Sequence, residues 1–338
     1  MITGCQRALV RPHQEPRLRP RADGRGGQPA AGALVAGRYR VLERVGRGAT
    51  ATVWRARDER LDRDVAVKQF AALRQSGTTT GVHGRVDGLA EVRIAARVRH
   101  PNVAAVHDVV EQDRSCWLVM EYVAADTLAT VLRQRHRLPP PIAAAVGLQL
   151  LAALRAVHEA GVVHCDVKPA NLLLGDDGRL VLVDFGIAEV AGDTPVARDD
   201  GEIVGSPAYM APELIRGETP GPAADLWSLG TTLYAAVEGR PPFPHRDPAP
   251  TLAAVLLDSP EPARRAGPLR PLLEWLLVKD PAARPSHDAV HTLLSAAQPA
   301  QPAPSAGAAP LTTPRTDLDT DPTGATRPLS APAGGTPR

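Results

Sequence analysis

The sequence predicts an α+β fold in two lobes, a small β-rich lobe over residues 37–121 and a mainly helical one over 125–295, joined by a short connection at 121–124. Three observations predict it. Between Arg38 and Glu121 the chain runs in short segments rich in Val, Thr and Tyr, broken by glycine and polar turns. Beyond Ala124 two long Ala/Leu stretches, Ile142–Ala160 and Ala224–Glu238, carry helical composition. Between those stretches lies the polar run His164-Cys165-Asp166-Val167-Lys168-Pro169-Ala170-Asn171, set between apolar runs at 161–163 and 180–183. Each apolar run reads as a short buried strand that delivers polar residues to a loop mouth.

The elements follow in order. Residues 1–36 are rich in Arg, Pro and Gly without apolar periodicity and are expected to be disordered. Their arginines are dispersed, which suits a solvated tail better than a docking site for acidic lipid or protein. Tyr39–Val45 and Thr52–Ala56 read as strands flanking a glycine turn, and Asp64–Lys68 as a third. A polar segment, Gln75–Gly84, precedes a helix expected over 85–98 and stopped by His100-Pro101. Strands are expected near Val103–Val109 and Cys116–Glu121, completing a small antiparallel lobe, and Val255–Lys279 reads as further helix. Residues 296–338 turn to Pro, Ala, Thr and Gly and are expected to be disordered.

The bulk numbers exclude some classes of function. The 338 residues are 43% hydrophobic but only 3% aromatic, so the core must be built from Ala, Val and Leu. A net charge of +2 provides no global field for gripping nucleic acid. Cys5, Cys116 and Cys165 are too far apart for a CxxC metal pair and too few for a disulfide framework, which suits a reducing cytoplasm. No membrane span is expected, because Ile142–Leu154 is interrupted by Gly147 and Gln149 and reads as a buried helix.

The polar run carries chemistry. Asp166 can orient a hydroxyl and accept its proton, and Lys168 can neutralise charge on a transferred phosphoryl group. Asn171 and the downstream Asp184, in Asp184-Phe185-Gly186, supply hard oxygens of the kind Mg²⁺ takes. The H-x-D-x-K-x-x-N run followed by D-F-G resembles the bacterial eukaryotic-like Ser/Thr protein kinase family. The resemblance spans about residues 38–295 and implies the two-lobed protein-kinase fold, a small β-rich N-lobe over a mainly helical C-lobe. It further implies ATP with Mg²⁺ (or Mn²⁺) as cofactor and protein Ser or Thr hydroxyls as acceptors.

Val45-Gly46-Arg47-Gly48-Ala49-Thr50-Ala51-Thr52-Val53 joins two strand-like runs, where glycines let backbone N–H groups approach phosphate oxygens. A Rossmann turn would lead into a helix, whereas Thr52-Val53-Trp54 reads as strand, so a kinase-type loop is favoured although Ala51 replaces its third glycine. By resemblance, Lys68 of Val65-Ala66-Val67-Lys68 contacts the α- and β-phosphates and pairs with Glu91. Val53 and Ala66 would cover the adenine, Leu173 would floor its pocket, and Met120 would be the gatekeeper of a hinge whose Glu121 and Val123 backbone groups bond the adenine edge. His164 is structural in the family, Asp225 holds the catalytic-loop backbone, and Glu213 of Ala211-Pro212-Glu213 pairs with Arg284. The Lys168-Pro169 form of the loop and Gly205-Ser206 favour Ser or Thr acceptors over Tyr. All four tryptophans read as packing residues.

Two departures matter. Cys165 stands where relatives carry an arginine that grips phosphate on the activation segment, so that segment has lost its main phosphate receptor. Asp199 and Asp200 lie near where relatives place phosphothreonine, either as fixed substitutes for its charge or as solvated loop. In the tail, Thr316 with Asp319 forms a context that a phosphothreonine-binding forkhead-associated partner can read, against the alternative of an inert linker.

Overall fold

The computed structural model describes residues 29–47, 52–71, 96–112, 115–184 and 206–298. Most of the helix expected at 85–98, including Glu91, lies outside them, as do Gly48–Ala51, Asp199, Asp200 and the tail threonines.

The N-terminal lobe is an antiparallel sheet of β1 (Leu34–Val35), β2 (Tyr39–Arg47), β3 (Thr52–Asp58), β4 (Arg63–Ala71), β5 (Val106–Gln112) and β6 (Ser115–Glu121), in the order β1-β2-β3-β4-β6-β5. Strict alternation in β3 turns Thr52, Trp54, Ala56 and Asp58 inward. Trp54 meets Trp117 at 5.5 Å between ring centroids, and Tyr39, Val41, Val65, Val67 and Val119 close this core. Strand β1 falls within the segment expected to be disordered. Val35 is buried and pairs with Tyr39, so order begins ahead of residue 37.

Asp58 is an inward-facing carboxylate, fully buried at the β3–β4 turn. Arg38 holds it bidentately at 2.8 and 2.7 Å, and the Arg60 and Leu61 amides donate to it. The Arg38 contact, opposed by burial, holds the Asp58 carboxyl down at about 2.

A small sheet of β7 (Asp126–Thr127), β8 (Leu172–Leu174) and β9 (Leu180–Leu182) opens the C-terminal lobe. Its helices are α1 (Leu128–Arg135), α2 (Pro140–Glu159), α3 (Pro212–Ile215), α4 (Pro222–Glu238), α5 (Pro248–Leu257), α6 (Arg270–Leu276) and α7 (His287–Ala296). Every residue of α4 from Ala224 to Val237 is buried, the signature of a helix at the centre of its lobe. Helix α2 is long and apolar enough to cross a bilayer by length and composition, yet half of it is buried against α4 and α7 as a core helix. Gly147 permits that approach, because a Cβ there would sit 2.9 Å from Leu294 and 3.2 Å from Leu233.

Three expectations are corrected. Residues 161–163 form no strand; Val162 is buried but finds no partner strand, and its N–H bonds back to Val157 at 3.2 Å. The helix expected over Val255–Lys279 is two helices, α5 and α6, because Pro260 and Pro262 cannot donate to a helical ladder and exclude it between them. Trp54, Trp117 and Trp227 are core residues, but Trp275 is 43% exposed and donates its Nε1–H to the Ala283 carbonyl.

Candidate active site

On the N-lobe side, β3 and β4 pair in register Val53↔Lys68 and Arg55↔Ala66, and β4 pairs with β6 as Ala66↔Met120. Alternation therefore sends Ala66 and Lys68 to the same face, with Val53 beside them and Met120 behind. Ala66 and Met120 are buried, Val53 is half-buried and Val45 is exposed on β2. Gly46 lies in the β2–β3 ladder opposite Val53. At the end of β6 the Glu121 N–H donates to the Ala105 carbonyl, and beyond it the Val123 carbonyl accepts from Ala125 at 3.0 Å. Among the described residues the Val123 N–H has no hydrogen-bond partner. Leu173, in β8, pairs with Val181 and Thr127.

On the C-lobe side one buried carboxylate organises the loop. Asp225, from the first turn of α4, accepts the His164 N–H at 2.8 Å and the Cys165 N–H at 2.9 Å. Those bonds hold Cys165 at φ +62, a left-handed conformation costing a non-glycine residue about 1 kcal/mol or more. Nδ1 of His164 accepts the Asp166 N–H at 3.2 Å, so Nε2 carries the ring proton and donates to the Val183 carbonyl at 3.1 Å. His164 is thus a brace between the loop and the strand leading to Asp184.

The Asp166 carboxylate is clamped. Lys168 Nζ lies 2.8 Å from one oxygen and 2.7 Å from the other. Asn171 Nδ2 donates to the Asp166 carbonyl at 2.8 Å and to its carboxylate at 2.9 Å. The Val183 N–H in turn donates to the Asn171 carbonyl, which fixes Asp184 next to Asn171. Asp184 has φ +64, and its Oδ1 lies 3.0 Å from Lys68 Nζ across the lobes. That contact is an ion pair off the hydrogen-bond direction, since the same buried oxygen has no hydrogen-bond donor among the described residues.

Glu213 and Arg284 form the expected pair, doubly bonded at 2.6 and 2.8 Å. The remaining guanidinium protons go to the carbonyls of Val278, Ala223 and Lys279, and the group lies over the Trp227 ring. All five donors are satisfied.

One feature escaped the sequence reading. His158 Nε2 lies 2.7 Å from Asp225 and its Nδ1 lies 2.9 Å from His287 Nε2, so a half-buried relay joins α7 to the carboxylate that shapes the loop. Burial first, then His158 and Arg155, push the His287 imidazole below its ordinary value. A depressed folded-state value means the unfolded chain binds the proton more readily, so stability is present above the unfolded value of 6.5 and is lost as pH falls through the folded one. Thermal melts from about pH 7 down to about pH 5 should therefore decline, and less steeply in His287→Gln. Identical slopes for variant and parent would contradict this.

A lysine, two carboxylates and an amide, gathered where a β-rich lobe meets a helical one, define a phosphotransferase of the two-lobed kind. Residues 39–295 match the family model described as a protein kinase domain, and the chain belongs to that family. It is 35% identical to the serine/threonine-protein kinase PknA of Mycobacterium tuberculosis over 323 residues, 92% of this chain and 70% of that one. It is 38% identical to PkaA of Streptomyces coelicolor over 267 residues (75% of this chain, 48% of that one). With PknL of Mycobacterium bovis it shares 36% over 238 residues (70% and 58%). The protein is an ATP-dependent Ser/Thr protein kinase acting on protein substrates.

Proposed function

We propose that this kinase transfers the γ-phosphoryl group of Mg-ATP in line to a Ser or Thr hydroxyl, with Asp166, Lys168, Lys68 and Glu91 as its catalytic residues. The observation that carries the reading is the clamp on Asp166. With Lys168 and Asn171 holding its carboxylate, one orientation is available to meet an incoming hydroxyl, and none needs to be found at the moment of reaction. Lys168 stands beside it to neutralise charge on the moving group. In this reading Lys68 would reach the phosphates from β4 with Glu91 as its partner, residues 45–53 would cover them, and Ala66, Met120, Glu121, Val123 and Leu173 would enclose the adenine.

The donor set suits a hard cation. Both contacts of Asn171 Nδ2 go to Asp166, which leaves the amide oxygen as a ligand, and Asp184 Oδ1 is a buried carboxylate oxygen without a hydrogen bond. Two protein oxygens with the rest supplied by water and phosphate is how Mg²⁺ is held, and Mn²⁺ fits the same set. When bound, the ion would neutralise charge on the phosphates. The same reading takes the cytoplasm as the place of action and the 296–338 tail as an autophosphorylated segment, whose Thr316 could present a phosphothreonine to a forkhead-associated partner. Nucleic acid has no part in it.

Incubation of the purified chain with γ-labelled ATP and a generic acceptor protein tests the metal reading. Label should reach the protein with Mg²⁺, vanish with excess chelator and return on adding Mn²⁺. Equal transfer in chelator would remove Asn171 and Asp184 from the metal role.

A further inference from the structure

We infer that the kinase carries a subsite for an anionic side chain, carboxylate or phosphate, on its protein substrate, formed by Arg133 and Arg137; the inference rests on the kinase reading and adds a substrate class to it. A cleft of about 560 Å³ opens beside the catalytic loop. Pro169, three residues past Asp166, and Tyr209, two residues before the Ala211-Pro212-Glu213 closure of the activation segment, form one wall, so an acceptor chain lying on Asp166 must run past it.

The lining is cationic. Arg133 comes from α1, Arg137 from the connection to α2 and Arg240 from the turn after α4. Arg240 is neutralised by Glu261, to which it is ion-paired. Arg133 bonds only the neutral Thr130 hydroxyl at 2.9 Å, and among the described residues no carboxylate lies within ion-pair reach of Arg133 or Arg137. The one acid in the lining, Glu238, is committed elsewhere: its side chain is 4% exposed and bonds the Arg265 backbone N–H and guanidinium. Ala235 adds only a methyl group, so among the described residues of the lining no free carboxylate is left to hold a basic substrate residue.

The cleft is also built. Gly239 ends α4 at φ +83, and a Cβ on it would lie 2.7 Å from the His136 carbonyl. The Leu138 N–H donates to Ala236 at 2.7 Å. These contacts lock the Arg137 and Arg240 backbones together, so the arginine forks start from fixed points, as recognition of a carboxylate or phosphate requires.

The test uses acceptor peptides with a single Thr and Glu, phosphoserine, Ala or Arg placed in turn for about five residues on either side, about 16 Å of extended chain each way. On one side of the Thr, Glu and phosphoserine should raise kcat/KM over Ala by about five- to tenfold, the size of one charge-assisted contact at a partly solvated site, and Arg should lower it. Phosphoserine well above Glu assigns previously phosphorylated substrates; parity assigns plain acidic sequences. Arg133→Glu/Arg137→Glu, at exposed positions that spare the fold, should invert the ranking so that Arg peptides lead, which a merely structural change cannot do. Equal use of Glu, Ala and Arg peptides by the parent, or an unchanged ranking in the double variant, overturns the subsite and leaves the kinase reading standing. Anisotropy of the same peptides without ATP separates the two. Charge-ranked binding with no transfer to any peptide would count against the kinase reading and for the subsite.

Discussion

Lys68→Met and Asp166→Asn are each expected to lower phosphoryl transfer by about a thousandfold or more while leaving the fold intact. The first removes the charge proposed to reach the phosphates from β4 and leaves Asp184 Oδ1 without its 3.0 Å cation. The second keeps the shape of the side chain and its place beside Asn171 but cannot take a proton from the acceptor, and it leaves Lys168 without its carboxylate. Both positions are partly exposed at the seam of the lobes, so melting temperatures should stay close to the parent. Substantial turnover in both purified variants would overturn the role assignment. A large fall in melting temperature would mean instead that the seam is a stability element.

Breaking the Glu213–Arg284 pair should have the largest effect on folding. Its charges are almost wholly buried, with side-chain exposures of 5% and 0%. Removing Glu213 leaves a guanidinium buried against Trp227 with two donors unmet. Removing Arg284 leaves a buried carboxylate and frees three carbonyls, those of Val278, Ala223 and Lys279. Either change to Ala should cost about 3–5 kcal/mol, a large part of the about 5–15 kcal/mol that holds a domain together. Urea unfolding reads this directly as a shift in midpoint at constant slope. A loss below about 1 kcal/mol, the range of an exposed pair, would show that water reaches the site.

Much of the site was legible in the sequence because its chemistry is local. Asp166, Lys168 and Asn171 lie within one turn-sized segment, and their mutual bonds follow from that spacing. Lys68 sits on a strand whose period of two fixes its face. Glu213 and Arg284 lie 71 residues apart and were paired only through the family resemblance, not from patterning. What the sequence hid were side chains whose partners are distant and whose types are common. Asp58 looks like any turn aspartate until Arg38 closes on it. His287 at a helix start looks like surface until α7 docks it on His158. The apolar run at 161–163 carried the composition of a strand, but pairing needs a neighbour, and the chain instead bends through Cys165 at φ +62. The split of Val255–Lys279 was readable, since Pro260 and Pro262 stand in the sequence; apolar composition outweighed them in the reading.

The central claim is that Asp166 directs the γ-phosphoryl group of ATP to Ser and Thr hydroxyls of proteins. Phosphosite mapping by mass spectrometry, on an acceptor protein incubated with γ-labelled Mg-ATP and either the parent or Asp166→Asn, tests it most directly. The account predicts phosphoserine and phosphothreonine with the parent and background levels with the variant. Phosphate confined to tyrosine, or sites filled equally by Asp166→Asn, would contradict it.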